Sequence, residues 1–237
     1  MHTPHEQYAK DGFRLRGTQM SRVDGFSDVV FGFALTLLVV SLEVPKTFAE
    51  LHNLLFEFLP FAISFLLLML IWHTHYKFFR RFGLHDTWTI WLNGMLLFFV
   101  LFYVYPLKFM FAVAFGHGAT IEHTSDLRTM TLLYGAGFTA VYAIITAMYM
   151  NAWRQRDELQ LTPHELRLAR LYIWDEGGNV IVGLISCLIA LVLPPRLSTL
   201  ATMAYMLIGV HKSIVGNKIG EVRKSAHHTA ADIDTGA

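Results

Sequence analysis

The chain has 237 residues, of which 54% are hydrophobic and 16% charged, and its formal net charge is +1. That balance excludes an ordinary soluble domain, and a charge so near zero gives no overall pull towards nucleic acid, so no nucleic-acid partner is expected. The apolar excess needs lipid as its solvent, because about 20 consecutive apolar residues in a helix cross a hydrocarbon core roughly 30 Å thick.

In chain order, apolar runs at 26–44, 54–74, 88–112, 130–151, 177–193 and 197–215 predict six transmembrane helices. The first lies behind a polar lead and is read as a true span, not a cleaved signal peptide. The last two are split by Pro194-Pro195, which removes two backbone donors, and read as two spans joined by a tight turn. A protein-buried re-entrant hairpin stays open as the alternative for that pair. The single cysteine, Cys187, cannot form an intramolecular disulfide and reads as a small buried hydrophobe.

Basic residues alternate between the linkers. Lys10, Arg14, Arg16 and Arg22 precede the first span; Lys77, Arg80 and Arg81 follow the second. Arg154, Arg156, Arg167 and Arg170 follow the fourth, and Lys212, Lys218, Arg223 and Lys224 lie at the end of the sixth and in the tail. The opposite side holds only Lys46, Lys108, Arg128 and Arg196, so both termini are expected in the cytoplasm, with the protein in the cell's inner (plasma) membrane. Asn151–Tyr172 is charged and contains Thr-Pro-His-Glu, a helix start with Pro163 at the first helical position. Residues 1–215 are expected to form one transmembrane domain, and 216–237 a polar, disordered cytoplasmic tail.

The first span carries the unusual chemistry. It opens Ser21-Arg22-Val23-Asp24-Gly25-Phe26-Ser27-Asp28, and a carboxylate at the head of a span needs partners. At about 100° per residue, Phe26, Phe33, Leu37, Val40 and Val44 share one stripe, and Asp28 lies roughly 140° from Phe33. Asp28 shares its side with Gly32, Leu35 and Val39, where Gly32 would admit a second helix. Partners for Arg22 and Asp28 at matching depth are Trp72, His73 and His75 on the second span, and Trp88, Trp91 and Asn93 on the third. Tryptophans there also fit an aromatic belt. His73, His75 and His85 with Asp86 invite a metal reading, but no His-x-x-His pair shares a helical face, so neither a metal nor another cofactor is expected.

Arg22-x-x-x-Phe26-Ser27-Asp28 at the start of a first span, with Trp72-x-x-His75, Asn93 and Pro106, resembles the prokaryotic homologues of transmembrane protein 175, the endolysosomal potassium channel family. The resemblance implies an all-α, polytopic homotetramer whose first helices line a central pore for potassium ions, and no enzymatic activity. It implies a supporting role for the Phe26-Ser27-Asp28 motif, constrictions at Phe33, Leu37 and Val40, and a hydroxyl layer at Thr36 that favours potassium. The first constriction position is usually a branched aliphatic residue in that family, and here it is Phe33. The chain also lacks a Thr-Val-Gly-Tyr-Gly filter, so selectivity from a ring of backbone carbonyls is not available and weak selectivity is expected. The residues alone leave two other readings open: a proton-coupled carrier using Asp28 and His75, and a metal-dependent membrane enzyme using the histidines.

Overall fold

In the computed structural model the chain is described over residues 7–40, 45–116 and 123–234, and within these it is built of helices. They are α1 Arg22–Val40, α2 Phe48–Phe82, α3 Thr87–Ala114, α4 Thr124–Arg154 and α5 Pro163–Val192; a 3-10 helix, Pro195–Tyr205, then runs into α6, Met206–Asp234.

Local chemistry sets the helix ends. Thr47 accepts the amide of Glu50 at the head of α2, and Gly83 closes that helix at φ 59°, a left-handed conformation that suits glycine. Asp86 caps α3 through the Thr89 amide. Thr162 and Glu165 form a reciprocal capping box around Pro163, as the sequence predicts. The charged stretch at 151–172 is therefore a helix end, a short turn and a helix start.

Among the described residues five helices are long and apolar enough to cross a membrane: α1 over Arg22–Val40, α2 over Phe58–Phe82, α3 over Thr87–Ala114, α4 over Ser125–Arg154 and α5 over Pro163–Val192. The sixth expected span differs in form. Residues 197–215 are divided between the 3-10 helix and α6, whose later charges dilute its hydropathy. Ser198 and Thr202 donate their hydroxyls to the carbonyls of Pro195 and Thr199, the i−3 spacing of the 3-10 turn. The Ser186 hydroxyl donates to the Ala201 carbonyl at 3.0 Å, and His211 Nε2 lies 3.1 Å from the Trp174 carbonyl oxygen, so this segment runs back antiparallel along α5.

At about 2.0 Å per residue instead of about 1.5 Å, the 3-10 stretch covers more length per residue than an α-helix. The boundary drawn at residue 216 falls inside α6, which contains no proline and carries charged helix formers such as Lys218, Glu221, Arg223 and Lys224 beyond that point. Residues 41–44, including Val44, lie outside the described residues.

One apolar core runs through α1–α5, with Phe78, Leu96, Ile145, Met148 and Leu168 at its centre. α4 packs most extensively with α5 and also with α3, and α1 rests on α2 and α3. Large apolar side chains such as Leu66, Leu70, Phe98, Phe102, Leu184 and Leu188 point outward, as lipid-facing residues do.

Candidate functional site

The site is built where α1 enters the bundle. Ser21 and Asp24 cap the helix reciprocally: the Ser21 amide donates to Asp24 Oδ2 at 3.0 Å and the Asp24 amide to Ser21 Oγ at 3.1 Å. Asp24 is thereby committed to the helix start, and the next carboxylate, Asp28, faces α2.

Two polar links tie α1 to its neighbours. Trp72 Nε1 donates to Asp28 Oδ1 at 2.8 Å, so this tryptophan is engaged in the bundle. Separately, Ser27 Oγ donates to the Val23 carbonyl at 2.8 Å and accepts from Asn93 Nδ2 at 2.9 Å. The Asn93 carbonyl oxygen meets His75 Nε2 at 2.8 Å, which places a hydrogen on that nitrogen. Ser27, His75 and Asn93 are all buried, and Phe31 and Phe79 flank the imidazole with ring centroids at 5.5 and 4.7 Å. Buried polar groups are costly unless paired, and this chain of donors and acceptors pairs them in one geometry.

The structure rearranges several sequence-based assignments. Asp28 pairs with Trp72 and His75 with Asn93, so the acid and the imidazole belong to separate links. Arg22 is exposed and stands outside this network, because it precedes the buried face by more than a helical turn. A Cβ at Gly32 would meet nothing within 4 Å, so no other described helix of the chain approaches there. The four candidate metal ligands do different things: His73 stacks on Tyr76, His75 binds Asn93, His85 stacks on Phe79 and Asp86 caps α3. Among the described residues no group of three or more His, Cys, Asp and Glu is placed to hold a metal. Trp88 and Trp91 are exposed, as belt residues are.

α1 has two opposed faces. Ser27, Phe31, Ala34 and Leu38 are buried against α2 and α3. On the other side Phe26, Phe33 and Val40 are 62%, 62% and 72% exposed, and Thr36 is exposed with them. Thr36 Oγ1 donates to the Gly32 carbonyl at 2.9 Å, which leaves its lone pairs directed outward. Leu37 lies at the border of the two faces, partly buried and packed on the core.

Sequence reasoning missed a second polar assembly, in which the arm at residues 7–17 is held to the ends of α2 and α5 by Asp11, Arg16, Arg81 and Glu165. These partners lie up to 149 residues apart, and no local pattern announces them.

A family profile described as "Endosomal/lysosomal potassium channel TMEM175" matches residues 22–103, the span that holds Phe26-Ser27-Asp28, Trp72, His75 and Asn93. A protein of Marivirga tractuosa named "Potassium channel" is 36% identical over 204 residues, covering 81% of this chain and 78% of its own. A potassium channel of Chamaesiphon minutus is 31% identical over 97 residues, covering 38% of this chain and 48% of its own. Among solved structures, a crystallised variant of the potassium channel MtTMEM175, bound to a nanobody fusion, superposes with a TM-score of 0.78 at 32% identity over 91% of this chain and 100% of that one. A lysosomal potassium-selective channel TMEM175 homolog from Chamaesiphon minutus shares the fold, with a TM-score of 0.56 at 22% identity over 82% and 96% of the two chains.

Proposed function

Because this chain belongs to the TMEM175 potassium channel family, we propose that it is a potassium-permeable, weakly selective cation channel formed by a homotetramer around a central pore. The observation that carries this reading is the division of α1. Its Ser27–Phe31–Ala34–Leu38 face is spent on its own protomer, while an apolar face bearing Phe33 and Val40 is left uncovered on the opposite side. Four such faces around an axis would make a narrow apolar passage, able to gate by dewetting.

In this reading Phe33, Leu37 and Val40 form the constrictions, with Leu37 contributing from the edge of the stripe. The Thr36 hydroxyl layer favours potassium. Ser27, Asp28, Trp72, His75 and Asn93 hold the pore helix in place. The 3-10 helix and the first turns of α6 make the sixth crossing, and both termini are cytoplasmic in the bacterial plasma membrane.

The test is potassium and sodium flux through purified protein in liposomes, wild type against Phe33→Ala. Passive flux that modestly favours potassium and rises on truncating Phe33 is the expected result. Flux appearing only under an imposed proton gradient would contradict the channel.

A further inference from the structure

The arm that leads into the pore helix is clasped to the base of the bundle. Glu165, only 2% exposed at its side chain, accepts four hydrogen bonds from the arm and its own cap. Arg16 NH1 reaches Oε1 at 2.8 Å and NH2 reaches Oε2 at 3.0 Å, a bidentate pair. The amides of Arg14 and Thr162 donate to the same carboxylate at 3.0 and 2.9 Å.

A second link forms at Asp11. Its Oδ2 accepts from Arg81 NH2 at 2.6 Å and from the Tyr172 hydroxyl at 2.5 Å, and its carbonyl meets His164 Nε2 at 2.9 Å. Between the two links Phe13 is fully buried, with its ring 5.3 Å from that of Phe82.

The arm is then zipped to the end of α2, where the amides of Arg16 and Gly17 donate to the carbonyls of Arg81 and Arg80. A Cβ at Gly17 would collide with the Phe79 carbonyl, so glycine lets the two backbones touch. Only four residues separate Gly17 from Arg22, a reach of about 18 Å at most, so the arm fixes where α1 begins.

We infer that Arg16 and Gly17 are positioning residues for the pore helix: the clasped arm holds the foot of α1 against α2 and away from the pore axis. α1 needs such an anchor. Within the protomer its buried stripe of four residues sets its rotation, but the first of them is Ser27, so the turn from Arg22 to Phe26 that forms its foot has no fully buried side chain to hold it in place. Released from the arm, its uncovered apolar face would settle towards the axis and dewet the pore. This inference rests on the channel reading proposed above.

The experiment uses full-length protein in liposomes and compares wild type, Arg16→Ala, Arg16→Lys and Gly17→Ala. The two lesions lift the arm by unrelated physics, loss of a charge pair and a steric clash, and either alone suffices if the other prevents folding. Potassium flux should fall about threefold or more in Arg16→Ala and Gly17→Ala, the scale of a coupling residue remote from the pore. Arg16→Lys, which keeps the charge but not the fork, should fall between. The potassium-to-sodium ratio should not change, and amide hydrogen exchange should quicken in residues 8–17 and 22–28.

Wild-type flux from variants whose arm exchanges fast would overturn the inference. So would a released arm that leaves exchange at 22–28 unchanged. If the wild type itself passes no potassium, the channel reading falls, and exchange at 22–28 still decides whether the arm positions α1.

Discussion

Asp28 and Trp72, 44 residues apart in sequence, meet through one indole N–H···O bond of 2.8 Å that joins α1 to α2. The bond falls where an unpaired carboxylate oxygen would be costly, at the level where α1 first becomes buried. Removing the donor while keeping an aromatic ring isolates its contribution. Trp72→Phe should lower the stability of the detergent-solubilised protein by about 1 kcal/mol, the cost of losing one hydrogen bond to a part-buried carboxylate. Thermal unfolding followed by size-exclusion chromatography measures this. Asp28→Asn should reduce assembly or expression more than it alters ion preference, and a normally assembled Asp28→Asn protein with changed selectivity would contradict the supporting role.

The Ser27–Asn93–His75 chain should behave as a unit. Asn93→Leu leaves the buried His75 N–H without an acceptor and takes away the donor to Ser27 Oγ, whose own hydrogen stays on the Val23 carbonyl; its cost should exceed that of Ser27→Ala, which loses the bonds to Val23 and from Asn93 but keeps the imidazole paired through Asn93. Adding His75→Phe to Asn93→Leu should cost less than the sum of the two single substitutions, as residues in one network do. Unfolding midpoints of the singles and the double, measured side by side, check the sign.

Thr36 stands on the uncovered face with its hydrogen committed to the Gly32 carbonyl, so only its oxygen lone pairs face outward. Thr36→Val keeps the shape and removes that oxygen. The permeability ratio of potassium over sodium should fall towards unity while total flux persists, measured as reversal potentials in planar bilayers. An unchanged ratio would remove Thr36 from any account of selectivity.

Asp11 gives the arm a pH dependence. Burial pushes its carboxyl up, but Arg81, the Tyr172 hydroxyl and the Phe13 amide together outweigh this, and its pKa lies below the ordinary 3.8. A carboxylate with a depressed folded pKa stabilises the fold fully above its unfolded pKa and loses that contribution as pH falls through the folded value. The difference in unfolding temperature between wild type and Asp11→Asn should therefore be constant above about pH 5 and shrink below about pH 4. A difference that persisted undiminished at lower pH would show that the carboxylate charge is not what holds the arm.

Much of the protein was legible in its sequence. Hydropathy located the first five spans, because a helix in lipid must be apolar over a fixed length whatever it packs against. Capping chemistry placed the start of α5 at Pro163 for an equally local reason: an unpaired amide is satisfied three residues away. The stripe of Phe26, Phe33 and Val40 follows from helical geometry alone. The sixth segment was visible as an apolar run but not as a 3-10 helix, since hydropathy reports burial in lipid and not the hydrogen-bond spacing of the backbone.

Tertiary structure alone decided which residues meet. Depth in the membrane allowed Asp28 any of several partners; packing gave it Trp72 and gave Asn93 to His75, because each helix's rotation about its axis is set by the whole buried face and not by one polar pair. The clasp of Asp11, Arg16 and Glu165 was invisible for a related reason. A bidentate pair between residues 149 apart in sequence has no local pattern, and it exists only because the folded bundle brings the start of α5 beside the arm that leads into α1.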